Sequence, residues 1–272
     1  LLSLAIIGTA AAAPAYTLRG DWEQGSVIIG QTQPGSTVTL DQQKLDVSPT
    51  GLFVFAFDRD ATGTAQLKVT PRIGPANVER HEIAKHEWLI ENVDGLPPKF
   101  VNPPPETQAR IDAEAKRIAA SKRRDSPNTD FAVPFIWPAT GRISGVFGSQ
   151  RILNGEPKSP HYGVDVAVPE GTPVHAPAGG TVSLADPDLY YTGGTVIIDH
   201  GHGLQSILVH QSKLLVQTGD VVKQGDVIGL SGMTGRATGP HLHWGLYWFD
   251  AHVDAQKFVG PMPVAETPVG PN

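Results

Sequence analysis

The sequence predicts a mainly β protein, with a small β-sandwich-like domain, a helical connector and a second β-rich domain. Three observations carry this. Short apolar alternations bounded by turn signals recur about every ten residues, the spacing of small β-sandwiches, as at 37–40, at 52–57 and in the pair Leu67 and Val69. The chain has 30 Gly and 24 Pro among 272 residues and only 18% charged residues, which favours many turns over long helices. One segment, 106–122, is rich in Ala, Glu, Lys and Arg and reads as a helix, placed directly after a proline-rich stretch.

Taken in order, residues 1–15 open on the apolar run Leu1-Leu2-Ser3-Leu4-Ala5-Ile6-Ile7-Gly8 and end on Ala13-Pro14-Ala15. This pattern predicts the end of a secretory signal peptide, cleaved after Ala15. The run is too short to span a membrane. A periplasmic or secreted location follows, with no membrane span in the mature chain. Residues 16–94 form the predicted sandwich. Pro34-Gly35-Ser36 and Ser48-Pro49-Thr50-Gly51 are its turns, and the alternation of Phe53, Phe55 and Phe57 marks one core face. His81 and His86 lie in the polar segment 79–87 and are expected to be satisfied locally, away from any metal.

Residues 95–130 form the connector. Its first part, 95–105, carries five prolines and predicts a stiff, extended linker. The helix then ends on Lys122-Arg123-Arg124, a basic run suited to the negative pole of a helix and expected to be solvated. The second domain occupies 131–260, and 261–272 is expected to be a disordered tail. A net charge of −6 gives no nucleic-acid footprint. The absence of cysteine excludes disulfides and thiolate zinc frameworks.

The chemistry-bearing residues are histidines. Gly239-Pro240-His241-Leu242-His243-Trp244 runs into Gly245-Leu246-Tyr247-Trp248-Phe249, an apolar and aromatic stretch that predicts a strand. Alternate strand residues share a face, so His241 and His243 face one site. Upstream, His161-Tyr162-Gly163-Val164-Asp165-Val166-Ala167-Val168 also reads as a strand. Its valines form one buried face, and His161, Gly163, Asp165 and Ala167 share the other. The small Gly163 and Ala167 leave room for an imidazole and a carboxylate to lean towards one ion. Two imidazoles and a carboxylate are a common ligand set for catalytic zinc, with a fourth position open to water. With 10 histidines in the chain, single close spacings arise by chance. Two pairs, each on a strand face with small neighbours, form a stronger pattern.

His161-x-x-x-Asp165 followed by Pro240-His241-Leu242-His243 resembles the zinc peptidases of the M23 family, of the lysostaphin or LytM type. The stretch from Gly193 to Gly201 and the run Gly229-Leu230-Ser231-Gly232 through Pro240 fit the same pattern, so that the likeness covers roughly residues 135–258. The resemblance implies an antiparallel β-sheet peptidase domain that binds Zn²⁺ through His161, Asp165 and His243. It implies His210 and His241 as the catalytic proton-handling pair, one accepting the water proton and the other serving the oxyanion or the leaving amine. Gln211 departs from the family, which usually has Leu after this His. On a strand it should point away from His210 and leave that residue in place. Arg236 and Thr238 are expected to help shape the cleft. His175, His200, His202 and His252 are assigned no metal role. The implied substrate is the peptide cross-link of bacterial peptidoglycan, with a D-Ala–diamino-acid bond favoured over a glycine bridge. The alternative is a non-enzymatic wall-binding regulator or amidase activator, which would have lost ligands; all five positions are filled here.

Overall fold

A computed structural model describes residues 16–263. The predicted signal peptide and residues 264–272 of the predicted tail lie outside the described residues. Strands dominate, as the turn-rich composition requires.

The N-terminal module is a two-layer β structure. One sheet joins Tyr16–Arg19, Val27–Thr32 and Leu52–Ala56; the other joins Gln43–Leu45, Thr37–Leu40, Thr64–Thr70 and Asn77–Glu82. Ile28, Phe53 and Phe55 from the first layer and Val38, Leu67 and Val69 from the second are fully buried in one apolar cluster. Phe53 lies flat over Gly30, where an added Cβ would fall 2.0 Å from the ring. The face of Phe53, Phe55 and Phe57 is a core face as expected, and the strand is covered further. Val54 and Ala56 are buried as well, so both of its faces are covered. His81 stacks on Trp22 and meets Glu79, and His86 meets Glu23, so both are satisfied locally as expected.

The proline-rich stretch is not a simple extended linker. Ile90–Val93, just before it, pairs in parallel with Gln150–Leu153 beside the first predicted ligand. Pro98–Val101 forms a single helical turn, and Leu96 and Val101 bury themselves against Leu153. Proline stiffness left these apolar side chains free to find a partner. The following helix, Gln108–Lys122, is entered through a 3-10 turn at Pro105–Thr107. At its end Arg123 and Arg124 are exposed as expected, but Lys122 is drawn inwards. The Lys122 ammonium sits 3.6 Å from the centre of the Tyr247 ring, and burial pulls its pKa down to about 8.

The second domain carries an antiparallel sheet in the order Val221–Val222, Gly180–Leu189, Gly193–Gly201, Leu204–Gln211, Leu242–Trp248, Val164–Ala167, Arg142–Gly145. Gly193–Gly201 and Leu204–Gln211 are buried along their whole length, because both faces of the sheet centre are covered. Val164, Val166 and Trp244 pack into the core, which forces the alternate residues Asp165 and His243 to the other face. Met262 packs partly against this core and Trp137 donates to the Gly260 carbonyl, so the predicted tail is anchored at its start.

The two modules meet near the loop 147–149. Arg59 donates from Nε to the Gly148 carbonyl at 2.8 Å, with its guanidinium over Trp88. Asp58 accepts from the His252 backbone at 2.8 Å.

Candidate active site

Asp165 and His243 are direct cross-strand partners, so they face the same side of the sheet. His161 lies just before the Asp165 strand, held by its backbone N–H to the Ser149 carbonyl. Its Nε2 lies 3.0 Å from Asp165 Oδ1 and 2.9 Å from His243 Nδ1; His243 Nδ1 lies 2.8 Å from the same oxygen. Two glycines make room. A Cβ on Gly163 would fall 2.5 Å from the His243 ring, and one on Gly145 would fall 2.5 Å from Asp165 Oδ2.

The tautomers follow from the backbone. His161 Nδ1 lies 3.0 Å from the Val146 carbonyl, which can only accept, so Nδ1 carries the proton and Nε2 offers a lone pair to the centre. His210 and His241 repeat the device. His210 Nδ1 donates to the Thr234 carbonyl and His241 Nδ1 to the Gly239 carbonyl, each at 2.8 Å. In both, Nε2 is left as the lone-pair nitrogen. The two rings lie 4.8 Å apart, and His241 Nε2 is 3.8 Å from Asp165 Oδ1. The structure therefore brings all five predicted residues together.

His210 is the last residue but one of its strand and has φ +63°, in the left-handed region. That conformation costs a non-glycine residue on the order of 1 kcal/mol. It is held by the backbone bond from His210 to Thr192 and by the ring bond to Thr234. Burial and the neighbouring His241 and His243 drive the His210 pKa down to about 3. Burial also brings His243 down to about 4, against the pull of Asp165. Burial alone would raise the Asp165 pKa, but His161 and His243 outweigh it and hold the carboxyl well below the usual range. His210 and His243 are thus neutral and the Asp165 carboxylate ionised at neutral pH, and a neutral imidazole and an ionised carboxylate are the forms that bind a metal.

The model of peptidase family M23 matches residues 159–255. A Pseudomonas aeruginosa structure assigned to peptidase M23 is 30% identical, covers 88% of this chain and 94% of its own, and superposes with a TM-score of 0.66. The chain belongs to peptidase family M23. The match extends over the N-terminal module as well, since 88% of the chain is covered. The Vibrio cholerae peptidoglycan DD-endopeptidase ShyA is 42% identical over 122 residues, which is 44% of this chain and 28% of that protein. The Neisseria meningitidis DD-carboxypeptidase/endopeptidase Mpg is 40% identical over 124 residues, 46% of this chain and 27% of that protein. The chain thus spans about a quarter of the length of these two relatives.

The M23 family implies a metal, and the donor set fits one. His161, Asp165 and His243 are the one such group among the described residues, with ligand atoms all within 4.8 Å of one another. Bonds of 2.0–2.1 Å to zinc would set tetrahedral donors roughly 3.3 Å apart, close to the observed separations. The lone pair of His161 Nε2 and the Asp165 carboxylate face each other with no proton between them, an arrangement that a cation resolves.

Sequence reasoning missed Arg151 and Glu91. Arg151 donates from Nη2 to Asp165 Oδ2 at 2.7 Å and from Nε to Glu91 Oε2 at 3.3 Å. It occupies the far oxygen of Asp165 and leaves Oδ1 facing the histidines. A lone arginine in the loop 149–160 carries no sequence signal for this role. Gln211 turns into the interior, 1% exposed, and donates to the Leu208 carbonyl, so this departure from the family pattern alters packing and not the cleft. Thr238 lies exposed at the rim, and Arg236 lines the cleft beside Tyr191. His175, His200, His202 and His252 all lie outside the cluster.

Proposed function

We propose that this M23 chain is an exported zinc endopeptidase that hydrolyses peptide cross-links of bacterial peptidoglycan. The observation that carries the reading is the pairing of two functions in one cleft. His161, Asp165 and His243 form a compact ligand group, and His210 and His241 stand beside it, each pinned through Nδ1 with Nε2 left for the cleft. Zinc, when bound, supplies a Lewis acid that lowers the pKa of water and polarises the scissile carbonyl. His161, Asp165 and His243 would hold it. His210 and His241 divide the proton work: one accepts the proton of the attacking water, and the other donates to the oxyanion or to the leaving amine. Arg151 orients Asp165 through Oδ2.

The substrate class rests on the printed functions of the Vibrio and Neisseria relatives. Export rests on the signal-like pattern at 1–15 and suits a wall substrate. Among the described residues no helix is long and apolar enough to cross a membrane. The reading as a non-enzymatic regulator finds no support in the site, whose ligand set is intact. The test is digestion of purified sacculi with the zinc-loaded protein, with released fragments identified by mass. Monomeric muropeptides released from cross-linked dimers are expected, and this release should stop on chelation. Tight sacculus binding without release would replace the peptidase with the regulator.

A further inference from the structure

The cleft holds a half-buried cation that no carboxylate among the described residues neutralises. Arg236 is half-buried in the loop before His241, with its backbone N–H on the Tyr191 carbonyl and its guanidinium 4.7 Å from the centre of the Tyr191 ring. Burial pulls its pKa below the usual value. Among the described residues no carboxylate lies within ion-pair distance of it. Of the other arginines that line the cleft, Arg151 is matched by Glu91 and Asp165, and Arg142 is exposed to solvent. Arg236 and His210 both line the two lobes of the cleft, so the guanidinium shares the cleft with the proton-handling pair.

A desolvated charge without a partner is costly, and selection of such an arrangement needs an anion that arrives with the ligand. The guanidinium fork matches a carboxylate with two parallel bonds, and the Tyr191 face fixes its plane. We infer that Arg236 binds a free carboxylate on the carbon attached to the scissile amide nitrogen. The inference rests on the peptidase reading and specifies its substrate. Among peptidoglycan cross-links, one whose amine comes from a diamino diacid bears such a carboxylate. A lysine or glycine-bridge amine carries none, because its neighbouring carbon bears hydrogen or an amide. The uncross-linked stem ending in a free D-Ala carboxylate presents the same chemistry. Arg236 therefore selects diamino-diacid cross-links, or stem C-termini, over bridged or amidated ones.

The experiment compares three substrates: a muropeptide dimer with the free carboxylate, the same dimer amidated at that carboxyl, and the uncross-linked pentapeptide stem. Wild type, Arg236→Gln and Arg236→Lys are each measured as kcat/KM. Wild type should prefer the free dimer over the amidated dimer by roughly tenfold to a hundredfold, the range of a charged hydrogen bond. Arg236→Gln should shrink that ratio to within about threefold, with Arg236→Lys between them, because an ammonium lacks the fork. Cleavage of the stem with the same Arg236 dependence assigns the carboxylate to chain ends as well; no such cleavage confines it to cross-links. Calorimetric binding of the free dimer to chelator-treated protein gives a readout independent of catalysis and should weaken in Arg236→Gln by a similar factor. Zinc content and Tm of the variants report folding. An unchanged substrate ratio and unchanged dimer affinity in well-folded Arg236→Gln overturn this inference alone. If zinc-loaded wild type cleaves none of the three, the peptidase reading falls and this inference with it.

Discussion

His200 and His210 sit on adjacent antiparallel strands of one sheet. Both are buried, at 0% and 8% exposure, and burial drives both pKa values down, to about 4 and about 3. By those measures they are alike. They differ in how their nitrogens are used. His200 spends both, Nδ1 on the Gly179 carbonyl at 2.6 Å and Nε2 on the Ser206 hydroxyl at 2.9 Å. His210 spends one on Thr234 and turns the other towards the cleft, from a backbone in the left-handed region. A shifted pKa marks a buried group; a spare nitrogen in a cleft marks a working one. The strain at His210 is the second sign, because a fold holds an unfavourable φ only where neighbouring bonds impose it.

The largest expected effect comes from emptying the cleft of its metal. Asp165→Ala removes the shared oxygen of the cluster and leaves Arg151 with Glu91 alone. Bound zinc should fall to near zero and hydrolysis with it, while far-UV circular dichroism stays native, since the His200 side of the sheet is untouched. Elemental analysis on the same samples decides this, and full metal retention would remove Asp165 from the ligand set. Next come His210→Ala and His241→Ala. Each should keep its zinc and lose on the order of 10²–10⁴ in turnover, the usual contribution of a general acid or base. Equal loss of zinc and turnover would make them ligands instead. His200→Ala is the mirror image. It leaves the Gly179 carbonyl and the Ser206 hydroxyl short of a partner and opens a cavity, at a cost of about 2–3 kcal/mol. Denaturant titration should show that loss, with kcat per folded molecule unchanged. A fall in kcat larger than the fall in folded fraction would place His200 in the reaction and erase the contrast.

The legible parts of this protein are those set by local periodicity. Val164 and Val166 alternate into the core, so Asp165 must face outwards, and the same rule places His241 and His243 together. The Gln211 departure was readable for the same reason. The parts that were not legible depend on long-range pairing. Arg151 meets Glu91 because Ile90–Val93 lies parallel to Gln150–Leu153, a pairing of segments about sixty residues apart that no local pattern encodes. The same contact buries Leu96 and Val101, which is why the proline-rich stretch is docked and not merely extended. Lys122 reads as a helix end until Tyr247 is brought against it. The sandwich was visible in its alternation, but the second covered face of the phenylalanine strand was not, because Val54 and Ala56 fit an exposed edge as readily as a buried one.

The smallest expected effect extends the contrast to a carboxyl that is shifted without a task. Asp125, on the connector, faces Asp46 of the N-terminal module. Burial, then the hydrogen bond and charge of Asp46, with Asp199 adding to them, push its pKa up to about 6. The sign is opposite to that of a paired carboxylate. The folded state holds the proton more tightly than the unfolded chain, so the contribution is fully present below about pH 4, the unfolded value, and is lost as pH rises through 6. At pH 7 the two carboxylates repel. Asp125 is exposed, so solvent screens most of this. Asp125→Asn should raise Tm by about 1–2 °C at pH 7, the scale of a surface substitution, and the gain should vanish by pH 4. His200 works in the other direction. Its folded pKa lies below the unfolded value of about 6.5, so its contribution is present above 6.5 and is lost as pH falls towards 4. Tm curves of wild type, Asp125→Asn and His200→Ala from pH 4 to 8 separate the two slopes. A gain in Asp125→Asn that is the same at pH 4 and pH 7 would mean that the carboxyl pair does not titrate, and that the substitution acts through packing at the module contact instead.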